Sequence, residues 1–344
     1  MNKREKLIRV TAPWRAFLRL LDLAKNCSIG VALVCALFFA IGCSTRVAVA
    51  EVRRVDVWFA PIHPNDRPAG KGVPDYFDLF SDSAPWQSVA SKISVFQIYL
   101  DLLRRGSDDE IRSLISYLRS KGISLSIEMP VLADTAWCEP GTKRKRWMVP
   151  LIARLKRLGG DLNYIAMVGP LVDGHVYKKK FYCNRPVEDV AADAAATITE
   201  IRKFYPNVIV GDIEPLAKHP EYPNWGELPV WLEAFKRQAG VPISFIHLDV
   251  RWALNWKEPL LDLVRDARRF GVRVGVIYHG DPLASSSEAV AAGLAKHEAE
   301  VEIELGVRPD EVIFQSWLNY PEYALPEDNP SSMTGIVRSY LLHR

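Results

Sequence analysis

The sequence predicts an α/β protein, a (β/α)8 TIM barrel preceded by an N-terminal signal or anchor segment, and three observations predict it. A short β-branched run, a polar loop and a 3.6-period segment recur in that order, the signature of βα units around a parallel sheet, and eight such runs occur. The 294 residues after position 50 are close to the roughly 250 residues typical of such a barrel. An open, doubly wound sheet shares the alternation, but its Gly-rich dinucleotide fingerprint G-x-G-x-x-G follows none of the runs, and no phosphate-cradling G-x-x-x-x-G-K occurs.

The predicted strands are Val55–Ala60, Ile93–Tyr99, Ile123–Glu128, Leu162–Val168, Val208–Ile213, Ile243–Asp249, Val272–Tyr278 and Val312–Trp317. The clearest helix follows the second of them. Ser107 and Glu110 form a capping box, Ile111, Leu114, Ile115 and Leu118 line one face, and Gly122 ends the helix before the third strand. Further helices are predicted over Val187–Phe204, Leu260–Phe270, Ser286–Leu305 and Thr334–Leu342. Between Trp58 and Trp86 a long Pro/Gly-rich stretch reads as site decoration in place of a helix.

Residues 1–50 read as a signal peptide or N-terminal membrane anchor, and residues 51–344 as a single barrel domain. Lys3, Arg4, Lys6, Arg9, Arg15, Arg19 and Lys25 precede an apolar run from Ile29 to Gly42. That run is short for a span, which takes about 20 apolar residues, but suits a secretory h-region followed by small residues such as Ala48-Val49-Ala50. Ala40-Ile41-Gly42-Cys43 is similar to a lipobox, so cleavage after Ala50, lipidation of Cys43 and an uncleaved anchor are the three alternatives. All three place the barrel outside the cytoplasm, secreted or periplasmic, and touch a membrane only through this segment.

The formal charge of +3 is a property of the leader, which holds 8 Lys/Arg and 2 Asp/Glu. The remainder keeps 36 of the 44 basic residues against 39 of the 41 acidic ones. Nucleic acid, which draws a clear basic excess, is therefore not an expected partner, and the sequence assigns no oligomeric state. Of five cysteines, only Cys138 and Cys183 lie beyond the leader; an even pair in an oxidising compartment is expected to form a disulfide.

In a barrel of this kind the active site lies at the C-terminal ends of the strands. Those ends are polar: Gln97, Tyr99, Asp101, Glu128, Asp173, His175, Asp212, Glu214, His247, Asp249, Arg251, Tyr278, His279, Asp281, Gln315 and Trp317. Side chains alternate between interior and helix layer with period two. Ile123, Leu125 and Ile127 are apolar and face the helices, which turns Ser124, Ser126 and Glu128 inward. The same reasoning pairs Asp212 with Glu214, and His247 with Asp249 and Arg251, so that several carboxylates meet at one mouth. Two carboxylates in different environments are what glycosidic cleavage requires. Trp58, Trp137, Trp252, Trp256 and Trp317, at or just past strand ends, offer apolar faces for a sugar ring.

A leader, eight βα units, Gly211-Asp212-Ile213-Glu214-Pro215, Phe245-Ile246-His247-Leu248-Asp249-Val250-Arg251-Trp252 and Gln315-Ser316-Trp317, in that order, resemble a secreted bacterial glycoside-hydrolase-like (β/α)8 barrel over most of residues 51–344. The resemblance implies hydrolysis of a poly- or oligosaccharide by a carboxylate pair, without a metal or organic cofactor. The expected roles are Glu214 as general acid/base and Asp249 as second carboxylate, supported by Glu128 and Asp212 and oriented by His247 and Arg251. Trp252, Tyr278, Gln315, Trp317, Gln97 and Trp58 complete the expected substrate site. The large retaining clan of such barrels carries Asn-Glu-Pro after strand four and a glutamate after strand seven. Here those strands end Met167-Val168-Gly169-Pro170 and Ile277-Tyr278-His279-Gly280, so the pair has moved to other strands or the barrel has lost hydrolysis.

Two alternatives therefore stand beside the hydrolase: a carbohydrate-binding barrel without catalysis, and a metal-dependent sugar isomerase or deacetylase. Compact ligand sets are confined to His247-Leu248-Asp249 and Tyr278-His279-Gly280-Asp281, no H-E-x-x-H or H-x-H occurs, and no residue is assigned to a metal. The runs Lys143–Arg146 and Lys178–Lys180 would lie near one rim if the cysteines are bridged, which would favour an anionic glycan; the alternative is a solvated loop face.

Overall fold

The computed structural model describes residues 55–64, 72–132, 148–176, 184–216 and 225–343, all within the unit Arg54–Arg344. The leader, Cys138, Cys183, Trp137 and both basic runs lie outside the described residues.

Eight parallel strands close into a barrel in sequence order: β1 Asp56–Ala60, β2 Val95–Tyr99, β3 Ser124–Met129, β4 Leu162–Val168, β5 Ile209–Leu216, β6 Phe245–Val250, β7 Arg273–Tyr278 and β8 Glu311–Gln315. Every expected run overlaps one of these strands. Closure pairs Asp56–Ala60 with Glu311–Gln315, so no strand is left with an open edge. Ser107 accepts from the Glu110 amide and Glu110 accepts from the Ser107 amide, starting the helix Asp108–Lys121, and Gly122 ends it at φ 67°, a left-handed conformation that glycine adopts without a Cβ penalty.

The other expected helices form over Val187–Arg202, Lys257–Arg269, Ser287–Glu298 with a π-turn to Glu304, and Met333–Leu342. Helices also form over Met148–Arg157 and Leu228–Ala239. The stretch after β1 holds a short 3-10 turn, Tyr76–Phe80. Its Asp75 accepts from the amides of Ala324 and Leu325, tying it to the segment after β8.

Two apolar layers position the site. Between sheet and helices lies the larger core, which includes Phe59, Phe96, Ile127, Leu248 and Val276. Inside the barrel, Trp58, Ala60, Val95, Ala166, Ile213, Phe245, Ile277 and Ile313 pack with Tyr164. That plug is dense enough to require glycine twice. A Cβ on Gly211 would lie 2.2 Å from the Phe245 ring, and one on Gly275 would lie 2.5 Å from His247 Cδ2. The interior is filled to this level, so polar side chains one step nearer the strand ends form the floor of the mouth.

Candidate active site

Register decides which polar side chains reach that floor. Partnered residues of a parallel pair point to the same side of the sheet. On β6, Asp249 pairs with Ile277, an interior residue, and so faces inward. Gln97 and Tyr99 of β2 pair with Ser126 and Glu128 of β3, and Gln315 of β8 pairs with Ala60; all of these share the inner face.

Two groups of side chains result. In the first, Glu128 Oε2 accepts from Gln97 Nε2 at 3.0 Å and from Gln315 Nε2 at 2.7 Å. Gln315 Nε2 also donates to the Tyr99 hydroxyl at 2.6 Å, and Ser126 Oγ donates to Gln97 Oε1 at 3.2 Å. Gln315 Oε1 is buried with no hydrogen-bond partner, an arrangement that costs free energy unless a ligand or water donates to it.

In the second group, on β6, β7 and β8, the buried His279 holds Asp249. Its Nε2 lies 3.0 Å from Asp249 Oδ1 and 3.0 Å from the Val250 carbonyl, and its Nδ1 lies 2.8 Å from the Gly280 carbonyl. Arg251 Nη2 lies 3.3 Å from Asp249 Oδ2. The Arg251 guanidinium sits 5.6 Å from the Trp317 ring centroid, with the His279 ring 4.9 Å from the same ring, within cation–π range. Burial pushes the Asp249 carboxyl up, but the close approach and charge of His279 and the charge of Arg251 outweigh it, leaving Asp249 below the usual range.

A third carboxyl, Asp173, stands on the turn after β4. Burial pushes Asp173 up to about 6, with Arg251 opposing. Its side chain crosses Gly169, which stands at φ 52° and whose Cβ, if present, would lie 3.0 Å from Asp173 Oδ2. Asp249 and Asp173 are thus displaced in opposite directions, and the Arg251 charge acts on both. One is suited to keep a proton and the other to remain ionised, the division of labour that acid/base chemistry uses.

Several expected site residues lie elsewhere. Asp212 and Glu214 pair with Ile246 and Leu248, which face the helices, so both carboxylates point away from the mouth and are fully buried. The inner positions of β5 belong to Gly211, Ile213 and Pro215. Gly211 is required there by the Phe245 ring, and the outward acids find partners behind the sheet. Asp212 Oδ2 accepts from Trp231 Nε1 at 2.8 Å, while Glu214 accepts from the amides of Leu171 at 2.8 Å and Val172 at 3.1 Å. Glu214 and Asp249 therefore do not converge.

His247 faces inward but one step too deep. Its Nε2 lies 2.5 Å from Glu311 Oε2, both side chains are sealed, and its ring touches those of Trp58 and Phe245, each at 4.6 Å. Arg273 joins Glu311 to Asp56 beneath it. Trp58 belongs to the interior plug. Trp252 and Tyr278 lie in the helix layer, their rings stacked at 6.0 Å and 4°, with Trp252 also stacked on His297 at 4.2 Å. Of the expected residues, Asp249, Arg251, Glu128, Gln97, Gln315 and Trp317 reach the mouth. His279, Tyr99 and Asp173 join them; each stands in the strand-end inventory, and the period-two relation of Tyr99 to Gln97 and of His279 to Ile277 is the signal that would have selected the first two.

Among the described residues no group of three or more His, Cys, Asp or Glu side chains is arranged to hold a metal ion, and no helix is long and apolar enough to cross a membrane.

No protein-family model matches the chain, and no curated protein matches it. Among solved structures the chain is similar to xylanase 10B from Thermotoga maritima, at 11% identity over 85% of this chain and 97% of that one, with a TM-score of 0.49. It is similar to D-allulose 3-epimerase from Methylomonas sp., at 11% identity over 85% and 98%, with a TM-score of 0.47. A deoxyribose phosphate aldolase from Aeropyrum pernix follows at 12% identity over 85% and 91%, with a TM-score of 0.41.

Proposed function

We propose that this barrel is an exported carbohydrate-active enzyme that hydrolyses a glycosidic bond at the mouth formed by the ends of β2, β3, β4, β6, β7 and β8, with Asp173 as proton donor and Asp249 as ionised partner. The observation that carries this reading is the Asp249 carboxylate held by His279 and Arg251 at the strand ends, with Asp173 on the neighbouring β4 turn displaced the opposite way, where Glu214 was expected and is absent. Asp173 gives its proton to the leaving oxygen as the C–O bond breaks and the bonding electrons stay with that oxygen. Asp249 faces the positive charge that develops on the sugar, and water completes the hydrolysis. His279 and Arg251 hold Asp249 ionised. The Trp317 ring offers an apolar face to the sugar, and Glu128, Gln97, Gln315 and Tyr99 present hydrogen-bonding groups to its hydroxyls.

A non-catalytic carbohydrate-binding barrel is the second reading, favoured by the missing glutamates after β4 and β7. Asp249→Asn separates the two. Under the hydrolase reading, turnover of a soluble oligosaccharide panel falls by roughly 10²-fold or more while calorimetric binding of the same oligosaccharides persists. Binding by the wild type with no turnover on any member would support the second reading and overturn the first.

A further inference from the structure

We propose that Glu214 is a positioning residue that fixes the Asp173 turn from behind β5. The inference rests on Asp173 being the proton donor, but its structural basis stands apart from any activity.

Every backbone N–H between Gly169 and Asp173 is accounted for. Gly169 donates to the Ile213 carbonyl at 2.7 Å, Pro170 has no N–H, and Asp173 donates to the Gly169 carbonyl at 2.8 Å. The two amides between them, Leu171 and Val172, donate to the two oxygens of Glu214. Both ties that join this turn to β5 thus run to consecutive residues, Ile213 by its carbonyl and Glu214 by its side chain. The Asp173 carboxyl has no hydrogen bond to a described residue, so its direction depends on the backbone that carries it.

Glu214 has a buried acidic neighbour. Asp212, two residues earlier on the same face of β5, is pushed up by burial, as is Glu214, and the charge of Asp212 raises Glu214 further. Both Glu214 oxygens accept amide N–H groups and Asp212 Oδ2 accepts from Trp231, while Asp212 Oδ1 is buried with no hydrogen-bond partner. Trp231 thus anchors Asp212 behind β5, and Glu214 beside it anchors the amides preceding Asp173. This gives the buried pair a purpose that its distance from the mouth otherwise denies it.

The test uses the full-length protein. In the wild type, the amides of Leu171 and Val172 exchange with deuterium as slowly as β5 amides, and the Asp173 carboxyl titrates near 6 by carbon-detected NMR. In Glu214→Gln, where an NH2 group replaces one acceptor, exchange at these amides accelerates at least tenfold. The Asp173 midpoint falls toward the ordinary carboxylate value, and kcat drops roughly tenfold with KM unchanged, because a misplaced donor costs turnover rather than binding. A merely structural role would lower stability without moving the Asp173 midpoint. Slow exchange and an unmoved midpoint in the variant overturn the proposal, and fast exchange of both amides in the wild type does so without any variant. Exchange and titration need no substrate. If they behave as expected and no glycan is cleaved, the proposed hydrolysis fails while the positioning role stands.

Discussion

Asp249 Oδ1 lies 3.0 Å from Nε2 of His279, a ring that is itself held between the carbonyls of Val250 and Gly280. The imidazole cannot turn without giving up two backbone contacts, so it fixes one carboxylate oxygen at the mouth while Arg251 approaches the other. His279→Gln is expected to return the Asp249 titration toward the ordinary aspartate value and to lower kcat/KM by roughly tenfold. An NMR titration of Asp249 in the variant checks it, and an unchanged midpoint would mean that His279 is not the group holding the carboxylate ionised.

Stability should fall as pH rises because of Asp212. Its folded value of about 7 lies above the unfolded one. Between about pH 4 and pH 7 the native state therefore binds more protons than the unfolded state, and the contribution is lost as pH rises through the folded value. Asp212→Asn keeps an acceptor for Trp231 and removes the titration. Thermal melts from pH 5 to pH 8 are expected to show a decline in the wild type that is shallower in the variant; parallel curves would contradict it.

Gly275→Ala tests the interior packing. Its Cβ would meet His247 Cδ2 at 2.5 Å and Ile313 Cδ1 at 2.7 Å, inside a plug with no room to yield, so a loss of about 1–3 kcal/mol is expected. Urea denaturation measures it, and wild-type stability would show that the interior relaxes freely.

His247→Leu is expected to cost about 3 kcal/mol because it removes one of the two charged partners of the sealed Glu311 carboxylate and leaves Arg273 as the other. Glycan affinity of the folded protein should not change, since the ring sits beneath the floor of the mouth. Denaturation and calorimetry together check this; an affinity loss with stability intact would restore His247 to the substrate site.

These expectations follow the line between what was legible in the sequence and what was not. The eight strands and the Ser107 capping box were readable because their signals are local: β-branched runs, a Ser/Glu pair at fixed spacing, and a terminal glycine. The inward turn of Glu128 was also readable, since Ile123, Leu125 and Ile127 leave one apolar set on β3. On β5 the alternation carries no such instruction. Val210, Asp212 and Glu214 form one set and Gly211, Ile213 and Pro215 the other, and hydropathy alone sends the acids to the wetter face. Their true side is set by partners distant in sequence, the Trp231 indole N–H, the Leu171 and Val172 amides, and the Phe245 ring that only Gly211 admits. Depth was equally hidden: His247 and Asp249 share a parity, but where the apolar plug ends decides which of them meets the mouth.

The most direct measurement is the pH dependence of kcat/KM on an oligosaccharide substrate, for the wild type and for Asp173→Asn. With Asp173 as donor, wild-type activity falls as pH rises through about 6, the value to which burial pushes that carboxyl, and the variant loses both the activity and the descending limb. A profile that stays flat from pH 5 to pH 8, or an Asp173→Asn protein that turns over like the wild type, would contradict the assignment of the chemistry to this mouth.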